Sequence, residues 1–449
     1  MRRIICLLLA LLFGCAAFPA RCETLQDCHR VTVTKKDTTQ DNGSVVRRWT
    51  LDTALDSVDA ELDAIMDEME QRIAPTLPKA QNKTNGNSRV DISCRYSRTG
   101  LSWMSFVVQA RTTFHRGLVG QEVVTRTFNM LTGEQITMTD LFADDSEGWL
   151  LLEEAVEAQV TAVYPDEKPD PEALAALTSR EGLEQIGFSL EAMSLVLHIP
   201  TASVYPAHEE KDATLIEVTL FYPDIRPYMT AEARLETDNQ SYYKMVALTF
   251  DDGPTRTNTT AVLNSLLQCG AKGTFFVIGN LIGDLRDLVQ RENDEGHSIG
   301  THNWTHANAN KVSAATLQGY KTKCDAAMLD AVGWVSRYDR VPYGLYPPMI
   351  KAKVGWPYIQ WSMDTYDWRG RSTNVIMRHV KEQISDGDII LCHDIKDNTP
   401  ATAIAICEYL AEEGYMLVTI DELFAKDGVE LEPDTVYFRC VDGDTSEKR

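Results

Sequence analysis

From Tyr243 to Ile420 short apolar runs alternate with amphipathic ones, and this rhythm leaves few architectures open. Met245 to Phe250, Thr274 to Ile278, Tyr358 to Met363, Asp388 to Cys392 and Met416 to Ile420 have the length and the β-branched or aromatic content of buried strands. Between them, Thr260 to Cys269, Asn280 to Asp294, Val312 to Ala331, Val375 to Ser385 and Ala401 to Glu413 repeat their apolar residues at helical spacing. Strands joined through helices run parallel, so an α/β barrel or barrel-like sheet is expected. In such folds reactive side chains gather at the C-terminal strand ends, which makes polar residues just after each apolar run the ones to read closely.

The preceding region lacks that rhythm. Phe106 to Thr113 and Val123 to Met130 alternate like half-buried strands, Trp149 to Val163 is helical in spacing, and Leu131-Thr132-Gly133-Glu134 reads as a hairpin turn. This is an α+β pattern. His115, His198 and His208 are scattered, with no constellation around them, and read as solvated or core residues. The polar stretches at Lys79 to Ser88 and Glu232 to Ser241 read as a loop and an interdomain linker. The expected organisation is a signal segment at 1–22, an accessory domain at 23–235, a linker at 236–243, a second domain at 244–427 and a tail at 428–449.

Met1-Arg2-Arg3, an apolar run from Ile4 to Phe13 and small residues to Ala17 have the layout of a secretory signal, which predicts an extracellular or cell-surface protein. Leu12-Phe13-Gly14-Cys15 also has the form of a lipobox, so contact with a membrane is expected only through lipid on Cys15. The formal net charge of −23 argues against nucleic-acid partners, whose phosphates need a cationic face. The ten cysteines form no evident disulfide framework; spacing leaves Cys28 with Cys94, or Cys407 with Cys440, open as pairs, and buried free thiols account for most.

Val246-Ala247-Leu248-Thr249-Phe250 runs directly into Asp251-Asp252-Gly253-Pro254, which puts two carboxylates at a strand end. Alone this is good turn chemistry. In Gly296-His297-Ser298-Ile299-Gly300-Thr301-His302-Asn303-Trp304-Thr305-His306, the spacing of His302 and His306 would put both imidazoles on one side of a helical turn, while His297 reads as structural. With Asp252 they make a two-histidine, one-carboxylate set that leaves positions open, the mark of a catalytic rather than a structural metal site. Zinc is the expected ion, with cobalt or another divalent cation as alternatives. Arg340-Val341-Pro342-Tyr343-Gly344 supplies a cation that could hold Asp251 ionised, Asp364-Thr365-Tyr366-Asp367-Trp368 follows a strand-like run, and Ile389-Ile390-Leu391-Cys392 delivers His393, placed to give a proton to a leaving amine.

With these motifs in this order, Tyr243 to Ala425 resembles the polysaccharide deacetylases with a NodB homology domain, carbohydrate esterase family 4. Gly270-Ala271-Lys272-Gly273-Thr274-Phe275-Phe276 and Glu413-Gly414-Tyr415-Met416-Leu417 add to the likeness. The resemblance implies a distorted (β/α) barrel, Asp251 as general base, Asp252, His302 and His306 as metal ligands, and His393 as general acid. It further implies Arg340 tethering the base, Asp367 supporting His393, the Tyr343 N–H facing the oxyanion, and Trp368 with Leu391 walling the acetyl methyl. Val341 and Asn303 depart mildly from the family pattern.

Thr127-Phe128-Asn129-Met130-Leu131-Thr132-Gly133-Glu134-Gln135-Ile136-Thr137-Met138-Thr139-Asp140-Leu141-Phe142 resembles the extracellular domain of a lysozyme-sensing anti-sigma factor, a domain that also precedes the catalytic domain of some peptidoglycan N-acetylmuramic acid deacetylases. The expected function is removal of N-acetyl groups from peptidoglycan, on N-acetylmuramic acid or N-acetylglucosamine, with contact to a lysozyme-like protein as a further role of the first domain. The alternatives are a non-catalytic wall or lysozyme-binding sensor, or a deacetylase of chitooligosaccharide or acetylated xylan.

Overall fold

The computed structural model describes residues 29–77, 88–114, 117–164, 166–206 and 215–447. The signal segment, Cys15, Cys28, His115, His208 and most of the Lys79 to Ser88 loop lie outside the described residues. The chain divides into two compact units, Met1–Tyr242 and Tyr243–Arg449.

The first unit is α+β. Its larger sheet runs in order β1 (Thr32–Thr39), β2 (Val45–Asp52), β3 (Arg89–Thr99), β4 (Trp103–Phe114), β5 (Gly117–Asn129) and β6 (Gln135–Ile136). Only β2 and β3 pair in parallel, because the helix Asp56–Ile73 carries the chain back across the sheet between them. Val58, Leu62, Met66 and Met69 recur every three or four residues along that helix and bury against Val90, Ile92, Phe106 and Val108. Gly133, at φ +79°, turns the chain between β5 and β6, as the turn chemistry predicts.

A three-stranded antiparallel sheet of β7 (Gly187–Leu190), β8 (Ser194–Pro200) and β9 (Leu215–Phe221) shares a core with Trp149, Leu152, Val156 and Val160 of the helix Gly148–Val163. The expected linker is helical instead, at Ala231–Glu236 and Asn239–Tyr242. Two of its polar side chains, Glu236 and Asn239, are buried and accept hydrogen bonds. Glu236 takes the N–H groups of Leu101 and Ser102, and Asn239 takes that of Gly100, whose φ is +60°. Low hydrophobicity there marks a polar clamp on a tight turn.

The second unit is α/β. β10 (Lys244–Asp251), β11 (Thr274–Val277), β12 (Ser298–Thr301), β13 (Tyr358–Ile359), β14 (Met363–Asp364), β15 (Ile389–His393), β16 (Tyr415–Val418) and β17 (Val436–Tyr437) all pair in parallel. The main ladder is an open path, β12-β11-β10-β15-β14, with β16 beside the start of β10. It is not the continuous barrel expected: beyond β12 only Asp339 links Thr301 to Tyr358, through isolated bridges. The chain there is spent on loops that carry His302 to His306 and Arg340 to Gly344. The expected tail is also part of the fold, since β17 pairs with β13 and the Cys440 N–H donates to Gly387 O.

Alternation along β10 decides what the site can use. Val246, Leu248 and Phe250 enter the core with Val262, Leu263 and Leu266 of the helix Asn258–Cys269. Thr249 and Asp251 must then face the other side of the sheet. The same alternation on β15 sends Ile390 and Cys392 to the core and leaves Leu391 and His393 with Asp251.

No helix among the described residues is long and apolar enough to cross a membrane. Cys94, Cys269, Cys324, Cys392, Cys407 and Cys440 are free thiols. Cys407 has Cys269 as its thiol neighbour, and Cys440 lies 3.4 Å from Asp427, so the Cys407–Cys440 pairing is not made.

Candidate active site

Parallel pairing sets Asp251 directly opposite His393, at the ends of neighbouring strands. Arg340 reaches Asp251 from the loop after Asp339. It is fully buried, unlike an ordinary loop arginine, and its Nη1 donates both to Asp251 Oδ1 at 2.8 Å and to Thr249 Oγ1 at 2.7 Å. Nε and Nη2 are held by the carbonyls of Ile359 and Gln360, and the guanidinium plane lies 4.0 Å from the Phe276 ring centroid. Burial pulls the Arg340 pKa down and the Asp251 carboxylate counters it. One of these four hydrogen bonds goes to the carboxylate and three fix the guanidinium, which holds Asp251 at one angle.

Asp252 leaves the strand at φ +77° and points elsewhere. Its Oδ1 lies 3.5 Å from His302 Nε2 and 3.1 Å from His306 Nε2, and the three ligand atoms all fall within 4.8 Å of one another. Two ligands each about 2.1 Å from one ion at a tetrahedral angle would be about 3.4 Å apart, so the set fits a divalent cation. Asp252 Oδ1 is also buried without a well-aligned hydrogen-bond donor. His302 Nδ1 donates to the Arg340 carbonyl at 2.6 Å, which fixes the tautomer and leaves Nε2 bare for a metal. Burial lowers the His302 pKa against the pull of Asp251 and Asp252, again favouring the neutral ligand form. Burial would raise the pKa of Asp252, but His306, His302 and His393 together hold it down at about 2.

The two histidines are not on a helical turn. The segment from His302 to His306 is a turn with Asn303 at φ +62° and His306 at φ +53°. Buried Asp339 secures it, accepting the Asn303 N–H and the Thr301 hydroxyl, both at 2.9 Å. Left-handed non-glycine residues cost of order 1–3 kcal/mol each and persist where surroundings impose them. Asp252, Asn303, His306, Tyr343 and Tyr366 are five of them around this one site.

His393 donates from Nδ1 to Asp367 Oδ1 at 2.7 Å and from its backbone N–H to Asp367 Oδ2 at 2.7 Å. Burial disfavours its charge, yet the Asp367 hydrogen bond and the carboxylates of Asp251 and Asp252 outweigh that, and its pKa is raised. Tyr343, 64% exposed, sets its ring edge-on to His306 at 4.8 Å between centroids. Trp368 is 46% exposed and donates from Nε1 to Asp364, whereas Leu391 is buried within β15.

His297 lies in the core, where its Nδ1 accepts the Gly273 N–H. His198 is core too, between Ser189 and Glu217 of the first unit. Thr249, Asp339 and Asp394 are not among the residues expected at the site. For Thr249 a signal existed, its alternation with Asp251. Asp394 is buried against Gly253, where any side chain would overlap its carboxyl, and burial pushes its pKa up to about 7.

Residues 238–355 match the family described as polysaccharide deacetylase. A peptidoglycan-N-acetylglucosamine deacetylase of Listeria monocytogenes is 30% identical over 312 residues, which cover 69% of this chain and 66% of that protein. This chain thus spans just under two thirds of that relative, and the aligned stretch is longer than the second unit, so it reaches into the first. A peptidoglycan-N-acetylglucosamine deacetylase of Bacillus cereus is 32% identical, with 46% of this chain and 78% of that protein covered. A peptidoglycan-N-acetylmuramic acid deacetylase of Bacillus subtilis is 31% identical over 40% of this chain and 38% of that protein.

Proposed function

We propose, from the premise that this chain belongs to the polysaccharide deacetylase family and is an enzyme of it, that it hydrolyses N-acetyl groups of peptidoglycan and releases acetate. One observation carries this reading: a carboxylate tethered by a buried arginine stands between a metal-type triad and a carboxylate-supported histidine.

Asp252, His302 and His306 would hold the cation, with zinc first and cobalt as alternative. A divalent ion bound there would supply Lewis acidity to the acetamide carbonyl and make water more acidic. Asp251 takes the proton of the attacking water, and Arg340 keeps that carboxylate aimed. The Tyr343 N–H would donate to the developing oxyanion, a kind of contact whose loss typically raises a barrier by about 3 kcal/mol. Protonated His393 gives its Nε2 proton to the amine as the C–N bond breaks, and Asp367 holds Nδ1 so that Nε2 faces the leaving group. Trp368 and Leu391 would wall the acetyl methyl.

In the same proposal the second unit is the catalytic domain, and the protein works exported at the cell surface, with or without lipid on Cys15. The first unit then contacts wall glycan or a lysozyme-like protein. Mass spectrometry of digested peptidoglycan and of chitooligosaccharide after incubation with the purified protein tests the function. Loss of acetyl from the wall sugars is the expected result, and unchanged masses in both would refute it.

A further inference from the structure

The turn that presents Asp367 to His393 also builds a second surface. Asp367–Arg369 is a single tight turn between left-handed Tyr366 and Gly370, so Asp367 is buried while Trp368 and Arg369 stay exposed. The Arg369 guanidinium lies 4.5 Å from the Trp368 ring centroid and 4.8 Å from that of Tyr366, and the Arg371 guanidinium 4.6 Å from Tyr366. Stacking on rings occupies the flat face of a guanidinium and leaves its N–H edge outward, the geometry that grips a carboxylate in two bonds.

No such carboxylate is paired with them among the described residues. Among the described residues neither arginine has an ion-pair partner, although Arg47, Arg48, Arg256, Arg286, Arg291 and Arg337 all do. Asp364 is engaged by the Tyr366 N–H and Trp368 Nε1, and the helix Thr373–Gln383 has no acidic residue in its first turn. In a chain of net charge −23, two cations stacked and unpaired beside the acid of the site call for an anion from outside.

We propose that Arg369 and Arg371, on the Trp368–Tyr366 platform, form a subsite that selects N-acetylated glycan carrying a carboxylate over neutral glycan. This rests on the deacetylase reading for its location and deepens it. In peptidoglycan such a carboxylate comes from the lactyl ether of the muramic sugar or from the peptide attached to it. The exposed Trp368 face takes the sugar ring, and the arginine edges take the acid.

The experiment compares wild type with Arg369→Gln/Arg371→Gln. Calorimetry gives Kd for a muramic-containing tetrasaccharide with free lactyl carboxylate, its methyl ester, its peptide-bearing form and neutral chitotetraose, and acetate release is followed in parallel. Wild type should bind the acid about tenfold tighter than the ester, the scale of charge-assisted hydrogen bonds, and the variant should lose that preference. Its affinity for chitotetraose should stay within roughly twofold, since neither arginine is buried in the core. Arg369→Lys/Arg371→Lys should keep part of the preference. Tight binding of the peptide-bearing form assigns the anion to the peptide; tight binding of the free acid alone assigns it to the lactyl group. Equal wild-type affinity for the acid, the ester, the peptide-bearing form and neutral chitotetraose overturns the proposal, as does an equal loss on charged and neutral glycans, which would mean that the arginines only hold Trp368 in place. Should no glycan release acetate, the deacetylase reading falls, and the binding comparison still judges the arginines.

Discussion

Each unit contains a histidine between an oxygen nucleophile or base and a carboxylate, and only one of the two is built for chemistry. In the first unit Ser189 Oγ lies 3.0 Å from His198 Nε2, and His198 Nδ1 lies 3.2 Å from Glu217. These are triad distances. Yet Ser189 and His198 are 0% and 5% exposed, they sit inside adjacent strands, and Ser189 also donates to Glu191 Oε1. Arg95, 3.5 Å from both Glu191 and Glu217, completes a network that shuts out substrate. In the second unit the histidines and carboxylates stand where strands end, so their free atoms converge on an open position. Distances alone do not make a site; the unspent valence at a strand terminus does.

The comparison breaks first if the open cluster can be dismantled without consequence. His302→Ala or His306→Ala should cut activity to background with loss of bound divalent metal, read by elemental analysis, while Ser189→Ala leaves turnover unchanged. Asp251→Asn should follow with a loss of about 10²–10⁴ in kcat, the usual worth of a positioned base, and with a lowered thermal stability, because the buried Arg340 loses its counter-charge. Full activity in that variant would remove Asp251 from its role.

Smaller effects sharpen the contrast. As the proposed general acid, His393 would work protonated, and its raised pKa would keep it so to higher pH; activity should therefore fall as pH rises through that value. In Asp367→Asn the alkaline limb should move to lower pH, as a kcat profile would show. In the first unit His198→Ala should cost about 1–3 kcal/mol of stability by stranding buried partners, with kcat intact. A change in kcat there would mean that the closed network is not purely structural.

Much of the second unit was legible because parallel strands announce themselves as apolar runs, and the residue after each run is already at the site. Asp251, Asp252 and His393 are legible for that reason. His302 and His306 were found by a spacing that suggested a helical turn, whereas left-handed Asn303 and His306 bring them together in a loop. Arg340 was visible as a cation but not as a buried one, since burial depends on the Ile359 and Gln360 carbonyls from a distant strand. Asp339 and Asp394 were hidden because their partners, Asn303, Thr301 and Gly253, meet them only through long-range packing. The polar composition that suggests a linker at 236–243 does not show that the segment is helical or that Glu236 is buried against the Gly100 turn.

The central claim, a metal-dependent deacetylase centred on Asp252, His302 and His306, is tested most directly by acetate release from N-acetylated glycan before and after exhaustive chelation, followed by metal add-back. The account predicts that release stops on chelation and returns with zinc or cobalt. Undiminished release from metal-free protein would contradict it.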